Sequence, residues 1–354
     1  ITAVLQNEDV PELPADVELF AACGAYAAPG FIDLHIHGYA GHGPENASAD
    51  DLLAMSAALA KQGVCAFCPT LYCGTEEEMA HILRATVGAF GRETGARLLG
   101  YHLEGPFISP QKPGVMKPQD ILAPSVDVLA RLYEAAQGKI CSMTLAPERP
   151  GMEPVIAFCR EHRILMPAGH TNATYEEFLA ATRQGITHAT HLFNAMSQFN
   201  HSAPGAAGAV LLHPQISCEI IADGVHVPPD VVRFLGRRKP PQQIALVTDA
   251  LKPTGQEKGP FYANGEEVIL DGGVWKRKAD KVIAGSALTM LKGVQNLVRF
   301  GFTLAQAAAC AAAVPARLLG LNTRGQVAPG MRADLTLFDK DFQLKAVFIN
   351  GERK

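Results

Sequence analysis

The chain has 354 residues, of which 48% are hydrophobic and 19% are charged, and its formal net charge is −4. A chain of this size and composition can bury a large core, which indicates a soluble globular protein with one large α/β domain or two smaller ones. The slight negative charge, without any concentrated run of Lys and Arg, argues against nucleic acid or an anionic membrane as the main partner. A small molecule is the favoured ligand.

Neither the ends of the chain nor its cysteines indicate secretion. There is no signal peptide and no apolar run long enough to span a membrane, so a cytoplasmic location is expected; because the chain begins at Ile1 without Met, a preceding segment is not excluded. Eight cysteines in a chain of this length are not a disulfide framework. Cys65 and Cys68 form a CxxC pair near Cys73, which allows a zinc or redox interpretation, but their apolar surroundings favour ordinary buried thiols.

Both ends of the chain consist of short strand patterns separated by turn signals. Residues 1–28 contain apolar segments interrupted by Pro11, Pro14 and Gly24, and residues 325–354 contain three strand patterns. Neither end is long enough to form a domain alone. We predict that they pair into one small β-sandwich domain, separate from a larger domain over residues 29–324.

Strand and helix patterns alternate through the rest of the chain. The predicted strands cover 31–37, 65–70, 97–104, 140–147, 164–170, 187–193, 217–225 and 244–248. The predicted helices cover 50–62, 76–90, 125–136, 153–162, 175–184 and 230–238, followed by a polar β-hairpin over 259–283 and helices near 286–300 and 303–319. Eight βα units in sequence favour an α/β fold of the parallel (β/α)8 TIM barrel type over a doubly wound open sheet.

The first predicted strand carries a metal-ligand pattern. In Phe31-Ile32-Asp33-Leu34-His35-Ile36-His37, alternation places Asp33, His35 and His37 on one face. Two imidazoles separated by one residue can bind a single divalent cation. The alternative is a pair of hydrogen-bonded, inert histidines at a strand end.

Polar residues at the ends of the other strands favour the metal interpretation. In a TIM barrel the carboxyl ends of the strands converge at the face that carries catalysis. Glu104 there can bridge two metals, His170 and His191 would complete the shell of one ion, and His35, His37 and Asp249 would hold the second. Asp249 also has the chemistry of a general base for water that a metal has activated.

The chain resembles the N-acetylglucosamine-6-phosphate deacetylases of the amidohydrolase superfamily over nearly its whole length. The resemblance rests on nine motifs: PGFIDLHIHG (29–38), HLEGPF (102–107), TLAPE (144–148), AGHTNA (168–173), HLFNAM (191–196), ADGVH (222–226), VTDA (247–250), AGSAL (284–288) and PGMRADL (329–335). HLEGPF, HLFNAM and DGVH are narrower signatures than PGFID with HxH, which the whole superfamily shares.

The resemblance implies release of acetate from N-acetyl-D-glucosamine 6-phosphate by a cytoplasmic homodimer that uses one or two divalent ions, Zn or Fe. It implies metal ligands at Glu104, His170 and His191, a second metal at His35 and His37, and a catalytic acid/base at Asp249. His226 would polarise the acetyl carbonyl. The sugar phosphate would contact Val115, Met116, Asn194, Ala195, Ser202, Ile283, Ala284 and Gly285.

Two positions depart from the family pattern. Met116 stands where the family usually carries a histidine, and Ser202 stands where it usually carries an arginine. Because an arginine fork is the strongest side-chain ligand for phosphate, a different or unphosphorylated N-acetyl amino sugar is an alternative substrate. His201 and Arg277 are candidate phosphate contacts in place of the missing residues.

Two other functions compete with a sugar deacetylase. A cyclic amidase or amino-acid deacylase of the same superfamily often bridges its metals through a carboxylated lysine on the fourth strand, but that strand here ends in Thr144-Leu145-Ala146-Pro147 without lysine. A catalytically inactive barrel kept as a scaffold is disfavoured because all six candidate ligands are present.

Overall fold

The structure of the chain is a computed structural model that describes residues 1–5, 10 and 17–354. The strands are Tyr26–Pro29 (β1), Phe31–Ile36 (β2), Val64–Leu71 (β3), Arg97–Leu98 (β4), Tyr101–Glu104 (β5), Ile140–Thr144 (β6), Pro167–Ala168 (β7), His188–Ala189 (β8), Ser217–Ile221 (β9), Ile244–Val247 (β10), Phe261–Ala263 (β11), Glu266–Asp271 (β12), Val274–Arg277 (β13), Ile283–Ser286 (β14), Leu335–Phe338 (β15), Leu344–Ile349 (β16) and Glu352–Arg353 (β17).

Ten α-helices lie among the described residues, and none of them is both long and apolar enough to cross a lipid bilayer. They are Ala49–Ala60 (α1), Glu76–Thr86 (α2), Val126–Ala135 (α3), Glu153–Glu161 (α4), Tyr175–Thr182 (α5), Gly205–Leu212 (α6), Pro229–Arg238 (α7), Met290–Arg299 (α8), Leu304–Ala311 (α9) and Ala313–Leu318 (α10). Helices α2, α5 and α9 each begin with a capping box, in which a threonine and the residue three positions later satisfy each other's backbone N–H groups.

Two parallel four-strand arrays carry the core of the fold. One has the order β2-β3-β5-β6, with β4 also paired to β3, and the other has the order β10-β9-β8-β7. Parallel bridges from Ser142 to Leu165 and from Leu145 to Ala168 connect β6 with the segment of β7. At the other edge, the Asp249 N–H donates to the His35 carbonyl oxygen at 2.8 Å. Backbone hydrogen bonds therefore link the two arrays at both edges.

The strands of the second array are shorter than the sequence indicates. We predicted seven-residue strands over 164–170 and 187–193, but β7 and β8 have two residues each. The chain leaves the extended conformation at their carboxyl ends, since φ is 45° at His170 and 25° at His191. The side chains that the strand pattern placed on these strands are thus carried by the loops that follow them.

The link after Phe193 contains a helix that the sequence did not predict. Its sequence Gly-Ala-Ala-Gly-Ala-Val-Leu-Leu forms α6, of which only Leu212 is exposed. Two glycines lower its intrinsic helix propensity. All of its faces are apolar, so the sequence has no alternation of apolar and polar positions with the period of a helix. Burial against the surrounding protein is what stabilises it.

The two ends of the chain meet in one antiparallel sheet of order β1-β15-β16-β17. Strand β1 pairs with β15 from Tyr26 opposite Phe338 to Pro29 opposite Leu335. A second sheet packed against this one, as a sandwich requires, does not occur among the described residues. Residues 6–9 and 11–16 of the predicted small domain lie outside the described residues.

The polar insertion predicted as a β-hairpin forms the antiparallel sheet β11-β12-β13-β14. Trp275 on β13 is 2% exposed, and its indole N–H donates to Thr254 Oγ1 at 2.9 Å. This contact attaches the inserted sheet to the loop that follows β10.

All eight cysteines are free, and burial raises the pKa of the Cys65 and Cys73 thiols.

Candidate metal centre

Six buried side chains with metal-ligand chemistry meet at the carboxyl ends of the parallel strands. They form two groups of three, and within each group the ligand atoms lie within 4.8 Å of one another. The first group is His35, His37 and Asp249, and the second is Glu104, His170 and His191. The sequence predicted the same six residues and the same division between two ions.

Glu104 lies between four imidazoles. Its Oε1 atom is 3.1 Å from Nε2 of His170 and of His191, and 3.3 Å from Nε2 of His35. Its Oε2 atom is 3.2 Å from Nε2 of His37. The carboxylate therefore contacts imidazoles of both ligand groups, as expected of a residue that could serve two cations.

Asp249 closes the cluster from the segment that follows β10. Its Oδ1 atom is 3.4 Å from Nε2 of His37 and 3.6 Å from Nε2 of His35. Burial on its own would raise the pKa of Asp249, but the hydrogen bond from His37 and the nearby imidazoles lower the pKa below its ordinary value. Asp249 is therefore held as a carboxylate, which can bind a cation or accept a proton.

Three of the six residues have a left-handed backbone that L-residues rarely adopt. The φ angles are 45° at His170, 25° at His191 and 49° at Asp249. Such a conformation costs about 1–3 kcal/mol in a residue other than glycine, and it persists where the surrounding structure enforces it. Other residues of the chain also have a positive φ, but these three converge on Glu104, where the left-handed backbone directs their side chains into the cluster.

Hydrogen bonds to the outer nitrogens orient two of the imidazoles. The Nδ1 atom of His35 lies 3.2 Å from Glu219 Oε2, and the Nδ1 atom of His170 lies 2.9 Å from the Lys112 carbonyl oxygen. A ring that donates from Nδ1 presents an unprotonated Nε2, which is the form that binds a metal. His35 Nε2 is buried and has no hydrogen-bond partner among the described residues. The donor set therefore fits a divalent metal ion.

Glu219 is a component of the centre that the sequence reasoning missed. It is 1% exposed, and besides facing His35 it accepts a hydrogen bond from the His191 N–H at 3.2 Å. One carboxylate thus positions a ligand of each group. The sequence does contain a signal for this residue, since Glu219 is the one acidic residue in the otherwise apolar strand Ser217–Ile221. An acidic residue is almost never buried without a partner, so its position indicates a buried contact.

Two further buried polar residues lie next to the cluster. Asp33 accepts hydrogen bonds from the hydroxyl and the N–H of Thr248 at 2.6 and 3.2 Å, and burial raises its pKa to about 7. His102 lies edge-on to His35 with 4.6 Å between ring centroids. Burial lowers the pKa of His102 to about 3, so this imidazole is neutral.

A cavity of about 150 Å³ opens onto the cluster. Most of the predicted substrate contacts line it, namely Val115, Met116, Asn194, Ala195, His226, Ile283, Ala284 and Gly285. The Nδ1 atom of His226 lies 2.5 Å from Asp223 Oδ2, so one carboxylate fixes the orientation of this ring. The cavity therefore joins five of the six candidate ligands, all except the fully buried His35, to the residues expected to hold a substrate.

Three of the predicted contacts lie elsewhere. Ser202 and His201 are exposed and do not line the cavity, and Ser202 donates to Asn200 Oδ1 instead. Arg277 lies beside a narrow adjoining cleft and forms an ion pair with Asp280 at 2.6 Å. Among the described residues, the cavity at the metal centre has no lysine or arginine in its lining.

We expect the substitution Glu219→Gln to weaken metal binding by about 10–100-fold, the usual cost of losing a partner that orients a metal ligand. Glutamine keeps the size of the side chain but removes the charge that favours the His35 Nδ1–H tautomer. Metal retained after dialysis against graded chelator, measured by plasma mass spectrometry, checks this. Glu267→Gln, at an exposed acid paired with Lys278, is the matched control. Equal retention in both variants would remove Glu219 from the centre.

Comparisons with known proteins agree with this geometry. The Amidohydrolase family matches residues 26–354 of the chain. The N-acetylglucosamine-6-phosphate deacetylase of Bacillus subtilis (strain 168) is 32% identical over an alignment of 353 residues, which covers 96% of this chain and 87% of that protein. The N-acetylgalactosamine-6-phosphate deacetylase of Escherichia coli O157:H7 is 32% identical over 327 residues, which are 92% of this chain and 86% of that protein.

A solved structure is also closely similar. It is a mutant of the Mycobacterium smegmatis N-acetyl-D-glucosamine-6-phosphate deacetylase in complex with N-acetyl-D-glucosamine-6-phosphate. It matches with a TM-score of 0.88 and 31% identity, covering 97% of this chain and 90% of that one. The fold is therefore the amidohydrolase fold, and the chain belongs to the N-acetylglucosamine-6-phosphate deacetylase family of amidohydrolases.

Proposed function

We propose that this protein hydrolyses the acetamide of N-acetyl-D-glucosamine 6-phosphate, releasing acetate and glucosamine 6-phosphate. The observation that carries the proposal is the position of Glu104 among four imidazoles, with Asp249 beside them at the base of a cavity. The names of the similar proteins, and the sugar phosphate bound to one of them, support the substrate.

The two groups of side chains suit two ions, for which Zn or Fe is proposed. Glu104, His170 and His191 would hold one ion, while His35, His37 and Asp249 would hold the other. When bound, such an ion supplies Lewis acidity, lowering the pKa of bound water from 15.7 to about 7. The nitrogen and carboxylate donors match the preference of these metals.

The protein's own side chains move the protons and orient the amide. Asp249, held as a carboxylate, accepts the proton of the attacking water and passes it to the nitrogen that leaves. Asp223 accepts a hydrogen bond from His226 Nδ1, and Nε2 of His226 donates to the acetyl carbonyl oxygen when both ring nitrogens carry protons, a cationic form that the Asp223 carboxylate stabilises. Stabilising charge at that oxygen and protonating the amine are both needed, because an unactivated amide is a poor electrophile with a poor leaving group.

The walls of the cavity would position the sugar. Asn194, Ala195 and the segment 283–285 all line it. Gly285 is required there, because a Cβ atom at this position would lie 2.4 Å from Leu251 Cδ2 and the φ angle is 156°. The missing side chain lets this segment pack directly on Leu251 and on the Asp249 carbonyl oxygen, which fixes its position in the cavity wall.

A second candidate is deacetylation of an N-acetyl amino sugar without phosphate. It is favoured by the absence of lysine and arginine from the described lining of the cavity, since a phosphate dianion in this cavity would lack a direct ionic partner. Met116, where the family usually has histidine, is 4% exposed and packs in an apolar cluster.

Turnover of N-acetylglucosamine with and without the 6-phosphate separates the two candidates. The proposed function predicts a kcat/KM at least about tenfold higher for the phosphorylated sugar, equivalent to about 1.4 kcal/mol. Acetate release measures both reactions, and N-acetylgalactosamine 6-phosphate tests the stereochemistry at C4. Equal or greater turnover of the unphosphorylated sugar would assign the second candidate instead.

We also propose that strands β2, β3 and β5 to β10 close into a (β/α)8 barrel over residues 29–324. The backbone hydrogen bonds at both edges of the two parallel arrays support closure. Residues 1–28 and 325–354 would form a small β-domain, supported by the pairing of β1 with β15 in one antiparallel sheet. A cytoplasmic homodimer is proposed from family resemblance, and sedimentation equilibrium tests the dimer.

A further inference from the structure

A chain of buried polar side chains crosses the interior of the fold beside the candidate metal ligands. Its members are Thr190, Thr144 and His102, each with 0% of its surface exposed. The hydroxyl oxygens of Thr190 and Thr144 lie 2.7 Å apart, and Thr144 Oγ1 lies 2.8 Å from Nε2 of His102. On the other side of the ring, Nδ1 of His102 lies 3.2 Å from the Leu34 carbonyl oxygen. Three hydrogen bonds therefore connect these four residues.

The Leu34 carbonyl oxygen fixes the direction of every hydrogen bond in the chain. A carbonyl oxygen only accepts, so Nδ1 of His102 carries the proton and donates it. No carboxylate is hydrogen-bonded to His102 among the described residues, and a buried cation without such a partner is costly, so the ring is neutral. Nε2 therefore accepts from the Thr144 hydroxyl, and Thr144 Oγ1 accepts from the Thr190 hydroxyl.

Thr70 supports the same assignment of protons. Its Oγ1 atom lies 3.4 Å from Nδ1 of His102, and its hydroxyl donates to the Cys68 carbonyl oxygen at 3.2 Å. With that proton already donated, Thr70 can only accept from Nδ1. The reverse direction would also leave the Thr190 hydroxyl without an acceptor among the described residues. Both ends of the chain therefore favour His102 as the Nδ1–H tautomer.

The chain connects backbone positions that carry ligands of both groups. Thr190 immediately precedes His191, a candidate ligand of the second group, and Leu34 immediately precedes His35, a candidate ligand of the first. The ring of His102 also lies edge-on to His35, with 4.6 Å between centroids. The three hydrogen bonds thus run from the neighbour of one ligand to the neighbour of the other.

Every polar side-chain atom of Thr190, Thr144 and His102 has a hydrogen-bond partner. Complete pairing matters because a buried hydroxyl or imidazole without a partner destabilises the fold. In an interior of low dielectric, hydrogen bonds in a satisfied network strengthen one another, and the network specifies one arrangement of the elements that carry it. Those elements are β2, β5, the end of β6 and the segment after β8.

We propose that this chain sets the spacing between the two groups of metal ligands, with His102 as its central positioning residue. His102 bonds to Leu34 through one ring nitrogen and, by way of Thr144, to Thr190 through the other. Two ions that share Glu104 need both groups at one fixed separation, so loosening the chain weakens metal binding. The inference rests on the two-ion centre of the proposed function and is independent of its substrate.

Thr144→Val cuts the chain in its middle, because valine keeps the shape of threonine without the hydroxyl. We expect the chelator concentration that removes half of the metal to fall at least about tenfold, and Thr144→Ser to restore it. Thr190→Val cuts the link to the second group and should lower it too, and it gives the same test if Thr144→Val does not fold. Thr336→Val is the control, because Thr336 is equally buried and donates to the Gly63 carbonyl oxygen at 2.7 Å, in the sheet of the chain ends.

Nitrogen-15 NMR of the histidine rings reads the chain in the metal-free protein, where turnover plays no part. The signals of His102 are identified by their loss in His102→Gln. We expect a protonated Nδ1 and an unprotonated Nε2, whose resonance moves downfield in Thr144→Val, where it loses its donor, and stays in place in Thr336→Val.

Three results would overturn the proposal. They are a protonated Nε2 at His102 in the native protein, equal metal retention in native protein and Thr144→Val, and a loss of metal in Thr336→Val as large as that in Thr144→Val. The last would assign the effect to general destabilisation. A native protein that binds no metal would instead refute the two-ion centre, on which both the proposed function and this inference rest.

Discussion

Glu104→Gln is expected to leave the protein without tightly bound metal and to lower kcat/KM by at least about 10³-fold. A metal ion contributes several kcal/mol to the stabilisation of the transition state, and each 1.36 kcal/mol corresponds to a factor of ten. Glu104 approaches imidazoles of both ligand groups at 3.1–3.3 Å. Glutamine has a similar shape, but its amide carries no charge and turns one donor group toward the cation, so both ions lose their shared ligand.

Metal content per chain and acetate release, measured on the same preparation, check this expectation. Glu267→Gln is again the control, because it makes the same chemical change at an exposed position of the inserted sheet. Circular dichroism confirms that the variant remains folded. A Glu104→Gln protein that holds as much metal as the control would show that the bridging role is wrong, even if its turnover is reduced.

Asp249→Asn is expected to lower kcat by roughly 10²–10⁴-fold, the usual contribution of a general acid–base residue. The substitution is well matched to the backbone, because asparagine adopts the left-handed conformation of this position as readily as aspartate does. Glu104, His170 and His191 remain, so the ion of that group is expected to be retained. The loss should therefore appear in kcat far more than in KM.

Steady-state kinetics and metal analysis together decide between a proton-transfer role and a purely structural one. Asp280→Asn, at an exposed acid paired with Arg277, provides the control for loss of a carboxylate. If Asp249→Asn keeps at least a tenth of the native kcat with its metal in place, another residue moves the proton. If it loses all of its metal, Asp249 acts mainly as a ligand.

The sequence indicated the six candidate ligands because each of them follows an apolar strand pattern. His35, His37, Glu104 and Asp249 lie at the ends of strands whose alternation or apolar character is clear, and parallel strands present such ends on one face. His170 and His191 were also found, although their strands are only two residues long. Their apolar neighbours made the pattern visible even though the backbone leaves the sheet early.

The residues that the sequence did not place correctly depend on tertiary contacts. Glu219 acquires its role from His35, which is 184 positions away along the chain. Ser202 was predicted to face the substrate because of its position in a family motif, but the loop after Asn200 carries it to the surface. Local pattern contains no information about which distant element a loop will pack against.

The left-handed backbone at His170, His191 and Asp249 limits how this centre can be transferred to another scaffold. Copying the six side chains onto ordinary extended strand ends would aim three of them in wrong directions, since each bond from Cα to Cβ follows its local φ. A designer would have to transplant the loop conformations as well. Valine and isoleucine are β-branched and adopt a positive φ least readily. The backbone by itself therefore disfavours them at each of these three positions.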